Sequence, residues 1–153
     1  MNAQIGEYEI DYLVLDLGSE VNVMTKKTWA LMGKPKLIYS HIRIRMANQQ
    51  AVSPFGRLEH VPVDIDGVRT FEDFEVIEIV DHNCPYPALL GIDWAFNNSS
   101  VVDLKKRHMN FEKYGLRVIT PLDSNEGQRY TEPIREEDCA YELENIYKLT
   151  ARQ

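Results

Sequence analysis

Leu13-Val14-Leu15-Asp16-Leu17-Gly18-Ser19 runs an apolar strand straight into a carboxylate, with a glycine two residues later and then a small hydroxyl residue. A carboxylate at the end of a buried strand is expensive unless something holds it, and a glycine lets the backbone turn tightly and approach closely. Taken alone, the segment reads as a strand ending in an Asp-containing turn. On its N-terminal side Tyr8, Ile10, Tyr12 and Val14 alternate with polar partners, the period of a half-buried strand. On its C-terminal side Thr25 to Met32 reads as a short helix, with Thr25 as N-cap and Gly33 as the stop.

Further out the period-two pattern dominates. His41 to Met46 alternates, and Val61, Val63 and Ile65 share one face of Leu58 to Ile65. Asp66-Gly67 is a hairpin signal, and Phe71, Phe74, Val76 and Ile79 lie on the returning strand. Val101-Val102 and Met109 to Phe111 flank Lys105-Lys106-Arg107, a second hairpin with a basic tip, and Leu116 to Ile119 gives a last strand. The class is mainly β, with one or two short helices.

A second segment changes the weight of the first. Pro87-Ala88-Leu89-Leu90-Gly91-Ile92-Asp93-Trp94 is an apolar run, a glycine and the start of a short helix, Ile92 to Phe96. Together the two segments resemble the retropepsin-like aspartic proteases, over about residues 3–120. Met46-Ala47-Asn48-Gln49-Gln50 stands where that family enters its flap. More narrowly, these strings in this order resemble the protease region of plant gypsy-class long-terminal-repeat retrotransposon polyproteins.

The resemblance implies a small closed β-barrel of the retropepsin (acid protease) type. It implies an aspartic endopeptidase that cuts a retroelement polyprotein, working as a homodimer with one Asp16 per subunit and no cofactor. Two carboxylates held that close share a proton: the ionised one takes a proton from water, and the protonated one polarises the peptide carbonyl. By position Asp16 is the acid/base. Leu17, Gly18, Ser19, Leu90 and Gly91 support its loop, and Ala47, Asn48, Gln49, Gln50 and Gly56 belong to the substrate-covering flap. The chain departs from the family at Leu17, where a Thr or Ser hydroxyl ties the two loops across the dimer axis; leucine donates no hydrogen bond. That departure supports a second expectation, a catalytically degenerate domain acting in binding or dimerisation. The family's first strand is also expected to be short here, since few residues precede Leu13.

Bulk properties exclude other classes. The chain has 153 residues, 44% hydrophobic and 27% charged, with net charge -7 and pI about 5.1. That acidic balance argues against a nucleic-acid platform. No apolar run approaches the ~20 residues of a membrane span, and the start lacks a secretory pattern. With only Cys84 and Cys139, reduced thiols in a cytoplasmic protein are expected. The four histidines are scattered and His82-Asn83-Cys84 is a weak pair, so no metal site is expected. Residues 121–153 carry eight acidic and four basic side chains, -4 of the total -7. They read as an acidic tail beyond a 1–120 domain, linker-like or weakly helical from Glu136 to Leu149.

Overall fold

The computed structural model describes residues 1–45, 49–79, 86–123 and 127–134. Gly6, at φ +60°, turns strand β1 (Ala3–Ile5) back into β2 (Tyr8–Ile10), pairing Ile5 with Tyr8. The expected single strand from Tyr8 to Val14 is therefore two, because β3 (Leu13–Leu15) leaves for a different partner. Next come β4 (Val23–Thr25) and α1 (Lys26–Leu31). Thr25 caps that helix, its Oγ1 accepting from Thr28 N at 3.2 Å, and Gly33 follows the helix at φ +87°. β5 (Ile44–Arg45) and β6 (Ala51–Val52) form a two-stranded ribbon. Among the described residues the ribbon begins at Ile44, later than the alternation from His41 suggests, with Val52 and Ala51 as partners of Ile44 and Arg45.

The long hairpin β7 (Gly56–Ile65) and β8 (Val68–Ile77) turns at Asp66-Gly67. Both turn residues have positive φ, +51° and +89°, as a tight hairpin of this twist requires. β9 (Ala88–Leu90) leads into α2 (Ile92–Asn97), then β10 (Val101–Asp103), β11 (His108–Lys113), β12 (Leu116–Pro121) and β13 (Tyr130–Pro133). The basic-tipped hairpin is β10–β11.

The first sheet runs β2-β1-β7-β8-β4-β9-β3. Its far edge bends back to its start: the Met1 ammonium donates to Leu13 O and Leu13 N donates to Met1 O, each at 2.8 Å. The result is a small β-barrel. β10-β11-β12-β13 form a second sheet whose Met109, Phe111 and Val118 join the barrel's Ile5, Val63, Phe74 and Trp94 in one core. Trp94 meets Phe111 edge-on, ring centroids 5.2 Å apart. Each such fully buried large side chain contributes about 1.5–3 kcal/mol of transfer free energy.

The paired chain does not stop at the expected division after residue 120. Pro121 ends β12, and Tyr130 to Pro133 pair with Ile119 to Leu116. Thr131 Oγ1 also donates to Asp66 O at 2.9 Å. Charge dominated the expectation for this segment, while Tyr130-Thr131-Glu132 supplies a short β-forming edge. The weak helix expected from Glu136 to Leu149 falls outside the described residues, as do His82, Cys84 and Cys139. Among the described residues, no helix is long and apolar enough to cross a membrane.

Candidate active site

β9 lies between β3 and β4, parallel to the first and antiparallel to the second. The segment joining β3 to β4, which contains Asp16 to Ser19, must therefore bridge over the end of β9. Leu90 is fully buried, and its carbonyl accepts from Asp16 N at 2.9 Å, extending the β3–β9 ladder by one residue and fixing where Asp16 stands. The loop then closes on its own carboxylate. Gly18 N donates to Asp16 Oδ1 at 2.9 Å, and Ser19 N donates to Asp16 O at 3.1 Å. A Cβ on Gly18 would stand 3.2 Å from Asp16 Oδ1, so the glycine admits the close approach. Ser19 Oγ turns inward to Val21 O at 2.7 Å. Asp16 is half-buried, and among the described residues its Oδ2 accepts no hydrogen bond, so one oxygen is anchored and the other is available.

Gly91 backs this loop. Its φ of -87° suits any residue, so space is what demands glycine. A Cβ there would stand 2.6 Å from Val21 O and 2.7 Å from Ser19 O, both backbone. The contact is reinforced by Ile92 N donating to Ser19 O at 2.7 Å. Asn22, which the sequence reading passed over, links three segments: its Oδ1 accepts from Gly91 N at 2.9 Å and its Nδ2 donates to Asp73 O at 3.1 Å. Only its place just past the loop hinted at this. Thr28 Oγ1 similarly holds Pro87 O at 2.9 Å.

Leu17 stands at the loop tip, 48% exposed. The structure thus brings Asp16, Leu17, Gly18, Ser19, Leu90 and Gly91 together. The residues expected in a flap divide differently. Gln49 and Gln50 are exposed in the β5–β6 connection, while Ala47 and Asn48 lie outside the described residues. Gly56 is not in that ribbon; it opens β7, buried, with its would-be Cβ 2.7 Å from Leu37 Cβ. The ribbon's Ile44 packs against the small buried cluster of Val23, Ile77 and Leu89, as do Val14 and Val21, which flank the Asp16 loop. Among the described residues no three His, Cys, Asp or Glu side chains are grouped to hold a metal.

No protein-family profile matches the chain, and no curated protein matches it by sequence. Among solved structures it is similar to the retroviral protease-like domain of Ddi1 from Leishmania major. The TM-score is 0.54 at 20% identity, over 72% of this chain and 81% of that one. The chain has the retropepsin fold. Within that fold the Asp16 loop and the Gly91 segment are the two neighbouring pieces described above, reached from opposite ends of the barrel sequence.

Proposed function

We propose that the chain is an aspartic endopeptidase that acts as a homodimer, each copy contributing Asp16. The observation that carries the reading is the Asp16 loop in a retropepsin fold: one carboxylate oxygen pinned by Gly18 N–H, the other unengaged among the described residues, and Gly91 wedged behind. A single loop of this kind supplies one carboxylate, so the chemistry needs a second copy. The ionised Asp16 of the pair takes a proton from water, whose oxygen adds to the peptide carbonyl carbon. The protonated Asp16 gives its proton to the carbonyl oxygen. Collapse of the tetrahedral adduct breaks the C–N bond as that nitrogen is protonated. The β5–β6 ribbon, whose Ile44 packs against the same buried cluster as Val14 and Val21, is the covering element that excludes water. The substrate is a polypeptide, and the quoted strings favour the polyprotein of a retroelement, processed inside the cell.

Leu17 supports a second reading, a retropepsin-fold domain retained for association without cleavage. Its exposed side chain offers apolar area but no hydroxyl to tie two loops together. One experiment separates them. Turnover of a peptide with a hydrophobic cleavage site is measured for wild type, Asp16→Asn and Leu17→Thr at mildly acid pH, with sedimentation of each. On the protease reading Asp16→Asn abolishes turnover and keeps the dimer, and Leu17→Thr raises turnover. A wild type that dimerises without turnover selects the second reading. Turnover that survives Asp16→Asn undiminished refutes the role of this residue.

A further inference from the structure

The seven-stranded sheet has β2 at one edge, with β1 as its only neighbour in the sheet. Ile5 pairs with Tyr8 across the tight turn, and Gly6 N donates to Pro62 O on β7, which sets the parity of the hairpin. In an antiparallel pair the hydrogen-bonding groups of successive residues face opposite sides. Tyr8 and Ile10 therefore bond to β1, while the Glu9 N–H and C=O point away from it. Among the described residues neither Glu9 group has another hydrogen-bond partner. A free edge of this kind is a template for one more strand.

The two sides of this edge differ in kind. On one, β2 and α1 wall a groove of about 280 Å³ lined by Tyr8, Tyr12, Leu31 and Met32. Tyr8, Tyr12 and Leu31 are 43%, 59% and 63% exposed. On the other, Glu9, Asp11, Asp64 and Asp66 line a hollow of about 290 Å³, with no cation among its described lining residues. Arg129 acts on Asp66, but no ion pair among the described residues includes Glu9 or Asp11. Charge alone blunts an edge; exposed apolar side chains beside it do the opposite. A strand laid along β2 sends alternate side chains to the two sides, so its apolar residues enter the groove and the others meet the carboxylates. A second copy of β2 is a poor occupant. It would bring Glu7, Glu9 and Asp11 against their own counterparts, and like charges facing one another across strands are destabilising.

We propose that β2 receives, as an added strand, an extended segment of a partner polypeptide whose residues alternate apolar and basic. Its backbone bonds to the Glu9 N–H and C=O, its apolar side chains fill the groove, and its lysines or arginines lie over Glu9 and Asp11. The site is built from β2 and α1, not from the Asp16 loop, and holds whether or not Asp16 cleaves anything. The test titrates the full chain with acetyl-Lys-Val-Lys-Leu-Lys-Val-amide at neutral pH and low salt. Its glutamate counterpart and the scrambled acetyl-Lys-Lys-Lys-Leu-Val-Val-amide are the controls. The alternating basic peptide is expected to shift the Glu9 N–H resonance saturably and to slow its hydrogen exchange at least about tenfold. Both controls are expected to bind at least about tenfold more weakly. Glu9→Lys and Leu31→Asn change exposed side chains, and each is expected to weaken the alternating peptide by about tenfold; a circular dichroism spectrum checks the fold. Equal binding of the three peptides, no saturable shift, or a shift at Gly18 N–H with none at Glu9 would each overturn the proposal. So would a Glu9 N–H already protected in the free protein. Protection that rises with protein concentration assigns the edge to a second copy, and protection that does not assigns it to another segment of this chain.

Discussion

Gly91→Ala tests the packing that defines the candidate site. The added methyl meets Val21 O at 2.6 Å, Ser19 O at 2.7 Å and Val21 C at 2.8 Å. All three are backbone, so no side chain can swing aside. Either β9 or the 19–21 segment must move by several tenths of an ångström. Moving them stretches Ile92 N to Ser19 O and Gly91 N to Asn22 Oδ1, now 2.7 and 2.9 Å. Overpacking of this kind costs about 1–3 kcal/mol, and weakening two hydrogen bonds adds roughly 1 kcal/mol. A loss of about 3 kcal/mol corresponds to a fall of roughly 10 °C in Tm for a domain of this size. The control is Gly115→Ala: Gly115 has φ +72° and open space around its missing Cβ, so its cost is about 1–2 kcal/mol of backbone strain alone. Scanning calorimetry of both variants reads the difference. A Gly91→Ala protein melting within about 2 °C of wild type would show that the loop does not rest on this residue.

Three further outcomes are expected. Arg57→Ala leaves the buried Glu75 carboxylate without its guanidinium and costs about 3 kcal/mol in urea unfolding; a loss under about 1 kcal/mol would mean that water replaces the arginine. Burial pushes the Glu72 carboxyl above the ordinary carboxylate range, with Lys113 pulling the other way. Between the ordinary and the raised value the folded chain binds more protons than the unfolded one, so this group's contribution falls as pH rises through that window. Glu72→Gln should therefore raise stability at neutral pH, by no more than about 1 kcal/mol for a partly exposed charge. The gain should vanish as pH is lowered into the ordinary range; a gain independent of pH refutes the cause. Finally, a chain ending at Gly127 lacks the β12–β13 ladder and the Thr131–Asp66 bond and should be about 1–2 kcal/mol less stable than one ending at Ile134, whereas equal midpoints would show that β13 adds nothing.

What could be read from the chain was what local chemistry dictates. Asp66-Gly67 announces its turn because both residues tolerate positive φ, and Thr25 announces its helix because a hydroxyl can cap it. The Asp16 and Gly91 segments were legible as a pair through resemblance, yet neither sequence says that Leu13 lies beside Ala88 or that Val23 lies on β9's other side. Val23 to Thr25 is too short to show a period and was missed as a strand. Gly6 turned the first hairpin without a second turn residue beside it, so an alternation running from Tyr8 to Val14 concealed a break at Asp11-Tyr12. At Glu75 the pattern misleads outright. A charged residue between Phe74 and Val76 reads as the solvent side of β8, but Glu75 is buried there with the Arg57 guanidinium against it.

The insertion of β9 between β3 and β4 also bears on the order of events during synthesis. Asp16 N donates to Leu90 O, and Ser19 O accepts from Ile92 N, so the loop has no template until the ribosome has delivered residues some seventy positions further on. Closing so long a loop costs entropy before any contact rewards it, and folds dominated by such distant pairings form slowly. A nascent chain halted before residue 88 would hold the β7–β8 hairpin, whose contacts are local, but would leave β3 and β4 without the strand that separates them. Whatever Asp16 does is therefore withheld until β9 and the start of α2 have been made.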